Sequence, residues 1–346
     1  MTEEDIKVSS RSNKHNNAKF RKKSRNARAP AFGWVFQSSA GLFLLFDCIE
    51  NAVSLKMEGK TEDIEITLED KSIIYAQAKS VEDPNDTKNV KSKLKSALTS
   101  LSECEDPISK LIYVTNIPNP LKSEHPKHYE YSRTGFNSFF KEDKQLILDL
   151  LSKNEITTFQ TAKFEIVNFK FFGEEDSQRY IEILNKTREF LYKANVPREQ
   201  AESVLTEWKA QLMNNNAQRA SLSKADILFP LILVTIEKQD LSERYNNVCN
   251  LGIYEETISR YSEFIHNTPR RTNFFMQVCG LYQKQYPQGG DNINDFVINN
   301  WQEYIDEFNS LENDSKMLES LIKLLLLATL QKRYTISGIK TAAKLS

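Results

Sequence analysis

Residues 62–79 read EDIEITLEDKSIIYAQAK, a pattern that predicts two strands joined by a turn. Successive side chains of a strand point to opposite faces of a sheet, so Asp63 and Glu65 share one face of the first strand. Gln77 and Lys79 share one face of the second strand for the same reason. If the strands pair as a hairpin, two carboxylates, an amide and an ammonium group converge on one face of a sheet.

This combination of polar groups suits metal-assisted hydrolysis of a phosphodiester. Mg²⁺ prefers oxygen ligands, commonly one or two carboxylates completed by water and substrate phosphate. We expect Asp63 and the amide oxygen of Gln77 to hold Mg²⁺, for which Mn²⁺ could substitute. Lys79 would orient or deprotonate the attacking water and offset charge on the phosphate. The alternative is a surface hairpin whose charged side chains are simply solvated.

The flanking segments extend the pattern beyond the hairpin. Helical spacing of apolar residues marks residues 33–52 and 90–101, and alternating or apolar runs mark strands at 53–57 and 111–115. Together with the hairpin, these segments predict the order helix, three strands, helix, strand.

Three short motifs carry a resemblance to a known family: GWVFQ at 33–37, EDIEI at 62–66 and QAKS at 77–80. They resemble the PD-(D/E)xK restriction-endonuclease-like superfamily, and within it the double-stranded DNA nuclease domain of effectors in CD-NTase (CBASS) anti-phage systems. The nuclease effector of SMC-containing Lamassu systems uses a similar domain. The resemblance covers residues 30–236.

The resemblance implies an α/β fold with a restriction-endonuclease-like αβββαβ core, followed by a mainly helical C-terminal region. It also implies Mg²⁺-dependent cleavage of double-stranded DNA. Asp63, Gln77 and Lys79 match the aspartate, the second acid and the lysine of the motif. Because carboxylates on a sheet face contribute repulsion rather than packing, we expect Asp63→Ala to abolish cleavage and leave the fold intact.

Gln77 departs from the family pattern, which usually has an acid at that position. The resemblance therefore implies that Glu50 or Glu65 helps Asp63 to meet the metal charge. Gln37 and Glu50 lie in the helix that often adds a further polar group to such a site.

Three regions are predicted along the chain. Residues 1–29 hold nine Lys and Arg residues against three acids, and should form a flexible basic arm that contacts DNA phosphates, docks on an acidic partner or is only solvated. Residues 30–236 should form the nuclease domain with a helical extension. Residues 240–346 should form a helical region for oligomerisation or partner binding. Pro230 interrupts an apolar run near the end of the second region, so we expect a helix opening there and not a membrane-spanning segment.

Residues 315–334 predict a helix whose apolar side chains cover most of its circumference. A core helix and an interface helix for self-assembly both fit this pattern. The apolar run is shorter than the roughly 20 residues that a bilayer span needs. If the helix is an interface, Leu324→Glu or Leu327→Glu on its solvent side should break oligomers without unfolding the nuclease domain.

Composition limits the class of protein. The 346 residues are 40% hydrophobic, enough for a sizeable core, and a formal net charge of −1 excludes a globally basic nucleic-acid binder. The four cysteines include no Cys-x-x-Cys pair, which argues against a zinc site and a disulfide framework. No long apolar run follows the positive residues near the start, so we expect no secretory signal, no membrane association and a cytoplasmic location.

The sequence therefore predicts a Mg²⁺-dependent endonuclease that degrades double-stranded DNA as the effector of a bacterial anti-phage system. We expect a homo-oligomer, held inactive until its assembly with itself or with an SMC-like ATPase and a small accessory subunit changes. The alternative is a catalytically inactive nuclease-fold scaffold or DNA-binding subunit of a defence complex. A sensor for a cyclic nucleotide is a third hypothesis.

Overall fold

The structure, a computed structural model, describes residues 30–59, 61–83, 85–218, 221–237, 239–249 and 252–345. The basic arm predicted at residues 1–29 lies outside this part of the chain. The described residues divide into two compact units. The first unit contains the residues up to Leu44 and Lys56–Ile183, and the second contains Leu45–Leu55 and the residues from Leu184 onward.

The strands of the described residues form a seven-stranded sheet in the order β5-β6-β4-β3-β2-β1-β7. β2 is antiparallel to β3 and β5 to β6, whereas β4 is parallel to both β3 and β6. In chain order the strands are β1 (Ala52–Met57), β2 (Ile64–Leu68), β3 (Ile73–Lys79), β4 (Ile108–Thr115), β5 (Arg133–Gly135), β6 (Phe164–Asn168) and β7 (Ser221–Ser223).

Helices dominate the chain after β6. Those of the described residues are α1 (30–46), α2 (Val90–Leu101), α3 (Lys141–Lys153), α4 (Asp176–Arg179), α5 (Ile181–Lys193), α6 (Ala201–Gln218), α7 (Lys224–Glu237), α8 (Ser242–Val248), α9 (Tyr254–His266), α10 (Arg271–Gln285), α11 (Ile293–Asn300), α12 (Ile305–Phe308), α13 (Ser315–Gln331) and α14 (Arg333–Ala342).

The mixed α/β class and the mainly helical C-terminal region are confirmed. The first six elements, α1, β1, β2, β3, α2 and β4, follow the order that the sequence predicted. A restriction-endonuclease-like core stays a prediction. None of the described helices combines the length and the apolar character needed to cross a bilayer.

The predicted hairpin of β2 and β3 is confirmed. Ile64 lies opposite Ala76 in the antiparallel register. The turn is closed by the Leu68 N–H, which donates to the Ser72 carbonyl at 2.9 Å, and Lys71 adopts the left-handed conformation with φ 68° that the turn requires.

The core of the first unit lies between the sheet and α2. This helix buries Leu94, Ala97, Leu98 and Leu101, at spacings of three and four, against Tyr75 of β3 and Tyr113 of β4. Val90, at its start, packs instead with Val81 and Ile117. Each fully buried leucine contributes about 1.5–3 kcal/mol relative to an exposed one. The bounds of α2 agree with the prediction because its apolar spacing is unambiguous.

Aromatic stacking fixes α1 within the first unit. The rings of Phe36 and Phe43 stack on Phe169, with centroids 5.1 and 4.8 Å away. Phe36 also meets Phe171 edge to face at 5.5 Å. These contacts anchor the helix that carries Gln37.

The apolar helix predicted at residues 315–334 is α13, and it is a core helix. Asp314 caps it by accepting the N–H groups of Lys316 and Met317 at 2.9 and 3.0 Å. Leu324 and Leu327 are fully buried, so the solvent side expected for an interface helix does not exist. The core alternative is confirmed and the interface alternative is wrong, because a glutamate at either position would be a buried charge.

The helix opening predicted near Pro230 is confirmed, and α7 continues through the proline, from Lys224 to Glu237. A proline has no N–H to donate to the carbonyl four residues earlier, here that of Asp226. The Gln211 amide donates to this carbonyl at 2.8 Å, and the Trp208 indole N–H donates to the neighbouring Ile227 carbonyl at 2.6 Å. Two side chains of α6 thus replace the backbone bonding that the proline removes.

We therefore predict that Gln211→Met destabilises the protein by about 1–3 kcal/mol, because the Asp226 carbonyl loses its donor. In a Pro230→Ala background, where a backbone N–H returns, the same substitution should cost less. Urea unfolding of the four proteins in a double-mutant cycle measures this coupling. An equal cost in both backgrounds would contradict the compensation.

Candidate functional site

Three of the predicted site residues meet at the open end of the β2–β3 hairpin. Asp63 directly precedes β2, and its Oδ2 accepts the Ala78 N–H at 2.9 Å and the Gln77 side-chain amide. Lys79 Nζ lies 3.7 Å from the same oxygen. The register that places Ile64 opposite Ala76 brings Asp63 beside residues 77–79, so the structure assembles the trio that the sequence predicted.

Every hydrogen bond that Asp63's carboxylate makes to a described residue falls on Oδ2. The other oxygen, Oδ1, is left without a donor from this part of the chain. These contacts also correct the expectation that Asp63 is dispensable for folding. It accepts a backbone N–H and a buried amide, so Asp63→Ala would leave both donors without an acceptor.

Gln37 reaches the site from α1 and supports it indirectly. Its Nε2 donates to Glu58 Oε1 at 2.8 Å and to the Asp63 backbone carbonyl at 3.0 Å. Glu58 directly follows β1, has a left-handed φ of 50° and donates its own N–H to the Asp63 carbonyl at 2.9 Å. Gln37 is thus a positioning residue, and Glu58 is a carboxylate at the site that sequence reasoning missed.

Glu65 and Glu50 contact other residues than Asp63, Gln77 and Lys79. The Glu65 carboxylate lies against Gly59, where it would clash with any Cβ, and therefore packs on the loop before β2. Glu50 belongs to the second unit, where Lys344 Nζ lies 2.8 Å from its carboxylate. The hydrogen bond and charge of Lys344 lower the pKa of Glu50. The proposed help of these two acids at a metal stays a prediction.

Burial dominates the electrostatics of the site. It raises the pKa of Asp63, and the nearby Glu58 acts in the same direction, while the Lys79 charge and the Ala78 N–H act against it. An aspartate in this setting has a desolvated negative charge that a cation would stabilise. Lys79 supplies one positive charge, with 29% of its side chain exposed and therefore accessible to a ligand.

Glu62, the residue before Asp63, is a second buried acid, only 3% exposed. Burial raises its pKa to about 8, although a hydrogen bond with Ser100 acts in the opposite direction and lowers the pKa. The Cys104 thiol lies 3.6 Å from Oε1, and Oε2 is buried without a hydrogen-bond partner among the described residues. The acidic run at residues 62–65 is the sequence signal for Glu62, but its burial could not be read from it.

The residues present fit a hard divalent cation of the Mg²⁺ type. Asp63, Glu58 and the Gln77 amide offer oxygen donors, and Mg²⁺ commonly takes few protein ligands and completes its shell with water and phosphate. Two structural observations are in favour: Oδ1 of Asp63 has no donor among the described residues, and the pKa of this carboxyl group is raised by burial. No group of three His, Cys, Asp or Glu residues arranged for a metal occurs among the described residues.

No protein-family model and no curated protein matches the chain. Solved structures that resemble it are described as Cap4 SAVED/CARF-domain containing receptors. The receptor of Moraxella osloensis has 15% identity and a TM-score of 0.38, over 69% of this chain and 62% of that chain. The receptor of Acinetobacter baumannii with the cyclic trinucleotide 2'3'3'-cAAA has 15% identity and a TM-score of 0.38, over 69% and 60%. The Acinetobacter baumannii receptor with the cyclic trinucleotide 3'3'3'-cAAA has 14% identity and a TM-score of 0.36, over 61% of this chain and 45% of that chain.

The chain thus spans 45 to 62% of the length of these receptors, and at such low TM-scores the likeness defines neither a ligand nor an activity. The predicted membership of the PD-(D/E)xK nuclease family is wrong, because the structures found are described as receptors and no nuclease family is matched. The three motifs are four or five residues long, and a polar hairpin can carry such residues without common descent. The position of Asp63 beside Gln77 and Lys79 does not depend on that assignment.

The raised pKa of Glu62 leads to a prediction about stability. Between its ordinary value of 4.5 and about 8, the folded protein keeps a proton that the unfolded chain has lost. Stability from this group is therefore present below pH 4.5 and falls as the pH rises to about 8, by at most about 1.4 kcal/mol per pH unit. Glu62→Gln cannot ionise, so its unfolding free energy relative to the parent should increase across this window.

Urea unfolding of both proteins at about pH 5 and about pH 8 measures this difference, with the exposed Glu103→Gln as the control for loss of a surface carboxylate. A Glu62→Gln difference that is the same at both pH values would show that Glu62 keeps an ordinary pKa.

Proposed function

We propose that the first unit is a divalent-metal-dependent nuclease that cleaves double-stranded DNA, with Asp63, Gln77 and Lys79 as its catalytic residues. The observation that carries this proposal is the Asp63 carboxylate. One of its oxygens faces Lys79 Nζ at 3.7 Å and accepts two further donors, while the other has no donor from the described residues. A desolvated acid with a free oxygen beside an accessible lysine suits the binding of a phosphate together with a cation.

Asp63 and the amide oxygen of Gln77 would hold the cation, with Glu58 as a further carboxylate nearby. When bound, the cation supplies Lewis-acid stabilisation of charge on the phosphate. The Gln77 Nε2 group donates to Asp63 and fixes its carboxylate, and the Ala78 N–H does the same from the backbone. Gln37 holds the Asp63 main chain in place through its carbonyl.

Lys79 would act on the phosphate and on the attacking water. Its ammonium group can donate to a non-bridging phosphate oxygen and hold the water in line with the bond that breaks. Asp63 Oδ2 faces this ammonium group and sets its direction. This arrangement needs no carboxylate at position 77, because the glutamine orients Asp63 without adding a second negative charge.

Basic residues near the site support a nucleic-acid substrate. Lys93 of α2 donates to the Ser80 carbonyl in the segment after β3, and Lys79 is among the charges that influence its pKa. Lys91 and Lys95 of the same helix are exposed. Ammonium groups of this kind contribute to affinity by neutralising backbone phosphates, independently of base sequence.

A specific observation also favours the alternative of a DNA-holding subunit without activity. Gln77 stands where a second acid would strengthen metal binding, and no three-residue cluster of His, Cys, Asp or Glu occurs in the described part of the chain. In that case the basic residues would bind DNA and no cation would be recruited. Binding and cleavage assays separate the two functions.

The biological setting we propose is defence against phage, with restraint through assembly with itself or with partner subunits. Two of the compared receptors are described with cyclic trinucleotides, so a cyclic oligonucleotide is the trigger to examine first. If such a ligand bound and no divalent cation supported cleavage, the chain would be a receptor rather than a nuclease.

We predict that Asp63→Asn and Lys79→Ala each lower the initial rate of Mg²⁺- or Mn²⁺-dependent plasmid cleavage by about 100-fold or more, because each removes a group that acts on the reacting phosphate. Asn at position 63 keeps an acceptor for the Ala78 N–H, so the fold should survive. Exposed residues provide matched controls, Asp149→Asn for the acid and Lys153→Ala for the lysine, and both should cleave at nearly the parent rate.

DNA binding measured in EDTA completes the design. Parent protein that binds duplex DNA and cleaves none with either cation would support the inactive-scaffold alternative. Folded Asp63→Asn and Lys79→Ala proteins that cleave as fast as the parent would remove these residues from the mechanism.

A further inference from the structure

A groove between α10 and α14, within the second unit, has the chemistry of a ligand site. Its volume is about 360 Å³, in the range of small-molecule pockets. Met276, Cys279 and Ile336 give it an apolar floor, and the space beside Gly280 is open, since a Cβ there would meet no atom within 4 Å.

Tyrosine rings border this groove on both helices. Tyr286 stands at the end of α10, its ring 5.2 Å from that of Tyr282. Tyr334, at the start of α14, is 73% exposed although it is a large aromatic residue. Aromatic faces of this kind bind flat heterocycles by stacking, with little dependence on the identity of the base.

The charges at the groove have one sign. Arg333 and Lys340 line it, no aspartate or glutamate does, and neither cation has an ion pair with a described residue. They are seven residues apart on α14, which places them on one face at about 10 Å along the axis. In a chain with 46 basic and 47 acidic residues, a groove lined by cations alone is selective for an anion.

Arg333 is held in position rather than left mobile. Its guanidinium lies 4.5 Å from the Tyr334 ring centroid and 5.3 Å from that of Tyr282, and it donates to the Leu330 carbonyl at 2.9 Å. The hydrogen bond from Arg244 and, to a smaller extent, the charge of Arg333 lower the pKa of Asp291. The Asp291 carboxylate already accepts two hydrogen bonds from Arg244, at 2.9 and 2.6 Å. The positive charge of Arg333 is therefore available to a ligand.

We propose that the α10–α14 groove binds a nucleoside phosphate, with the base stacked against Tyr334 and Tyr286 and the phosphate held by Arg333 and Lys340. A flat aromatic group joined to an anion is the ligand chemistry that matches both features. The source can be a free nucleotide, a cyclic oligonucleotide or the unpaired end of a strand. This site is independent of the nuclease function proposed for the first unit, so the failure of one proposal would not contradict the other.

Isothermal titration calorimetry of the full chain with AMP, a cyclic tri-AMP and a short single-stranded oligo(dA) tests the site and identifies the source. Saturable binding of at least one probe, tighter than that of adenosine or inorganic phosphate alone, is expected. Gly280→Leu should fill the groove and abolish binding while the melting temperature is kept or raised, since a helix-interior glycine is replaced by a better helix former. Tyr334→Ala should weaken binding about tenfold or more.

Tyr192→Ala is the matched control, because Tyr192 is 66% exposed and stacks with Arg198 at 4.4 Å but lines no such groove. Its binding should equal that of the parent. The proposal is overturned if none of the nucleotide probes gives saturable heat, or if folded Gly280→Leu and Tyr334→Ala proteins bind as tightly as the parent.

Discussion

The candidate site depends on the antiparallel register of β2 and β3. With Ile64 opposite Ala76, the carboxylate of Asp63 meets the backbone N–H of Ala78 and the side chains of residues 77 and 79. A shift by one residue would turn every side chain of β3 to the other face and separate the acid from the lysine. The turn with Lys71 in the left-handed region and the burial of Ile64 and Ile66 both hold this register.

The same geometry brings negative charges close together, and a bound cation could reduce their repulsion. Asp63 and Glu58 place two negative charges near each other, beside the buried Glu62 that keeps its proton up to about pH 8, and their partners in the protein are mostly uncharged donors. Lys79 offsets only part of this charge. A divalent cation would relieve the repulsion, and a phosphate could then approach the lysine. In this account the uncharged Gln77 limits the cost of folding a site that already contains several acids.

The local elements could be predicted from the sequence and the tertiary contacts could not. The alternation of residues 62–79 and the spacing of Leu94, Leu98 and Leu101 specify the hairpin and α2, because each pattern depends only on neighbours along the chain. The role of Glu58, in the loop after β1, depends on Gln37 in α1, and Glu50 is paired with Lys344 from the far end of the chain.

The errors have a similar origin. The continuation of α7 beyond Pro230 could not be predicted from a rule that considers only the backbone, because the donors from Gln211 and Trp208 come from α6. The apolar circumference of α13 fitted a core helix and an interface equally well until its neighbours were known. The family assignment rested on motifs of four or five residues, which define a local arrangement rather than a fold.

The most direct test of the account is to locate Mn²⁺ by anomalous scattering in crystals of the parent protein and of Asp63→Asn. We predict a peak within coordination distance, roughly 2.0–2.3 Å, of the Asp63 carboxylate and the Gln77 amide oxygen in the parent. In the variant this peak should be lost or markedly weaker. Parent crystals in which Mn²⁺ occupies other positions, or in which no peak lies beside Asp63 at saturating Mn²⁺, would contradict it.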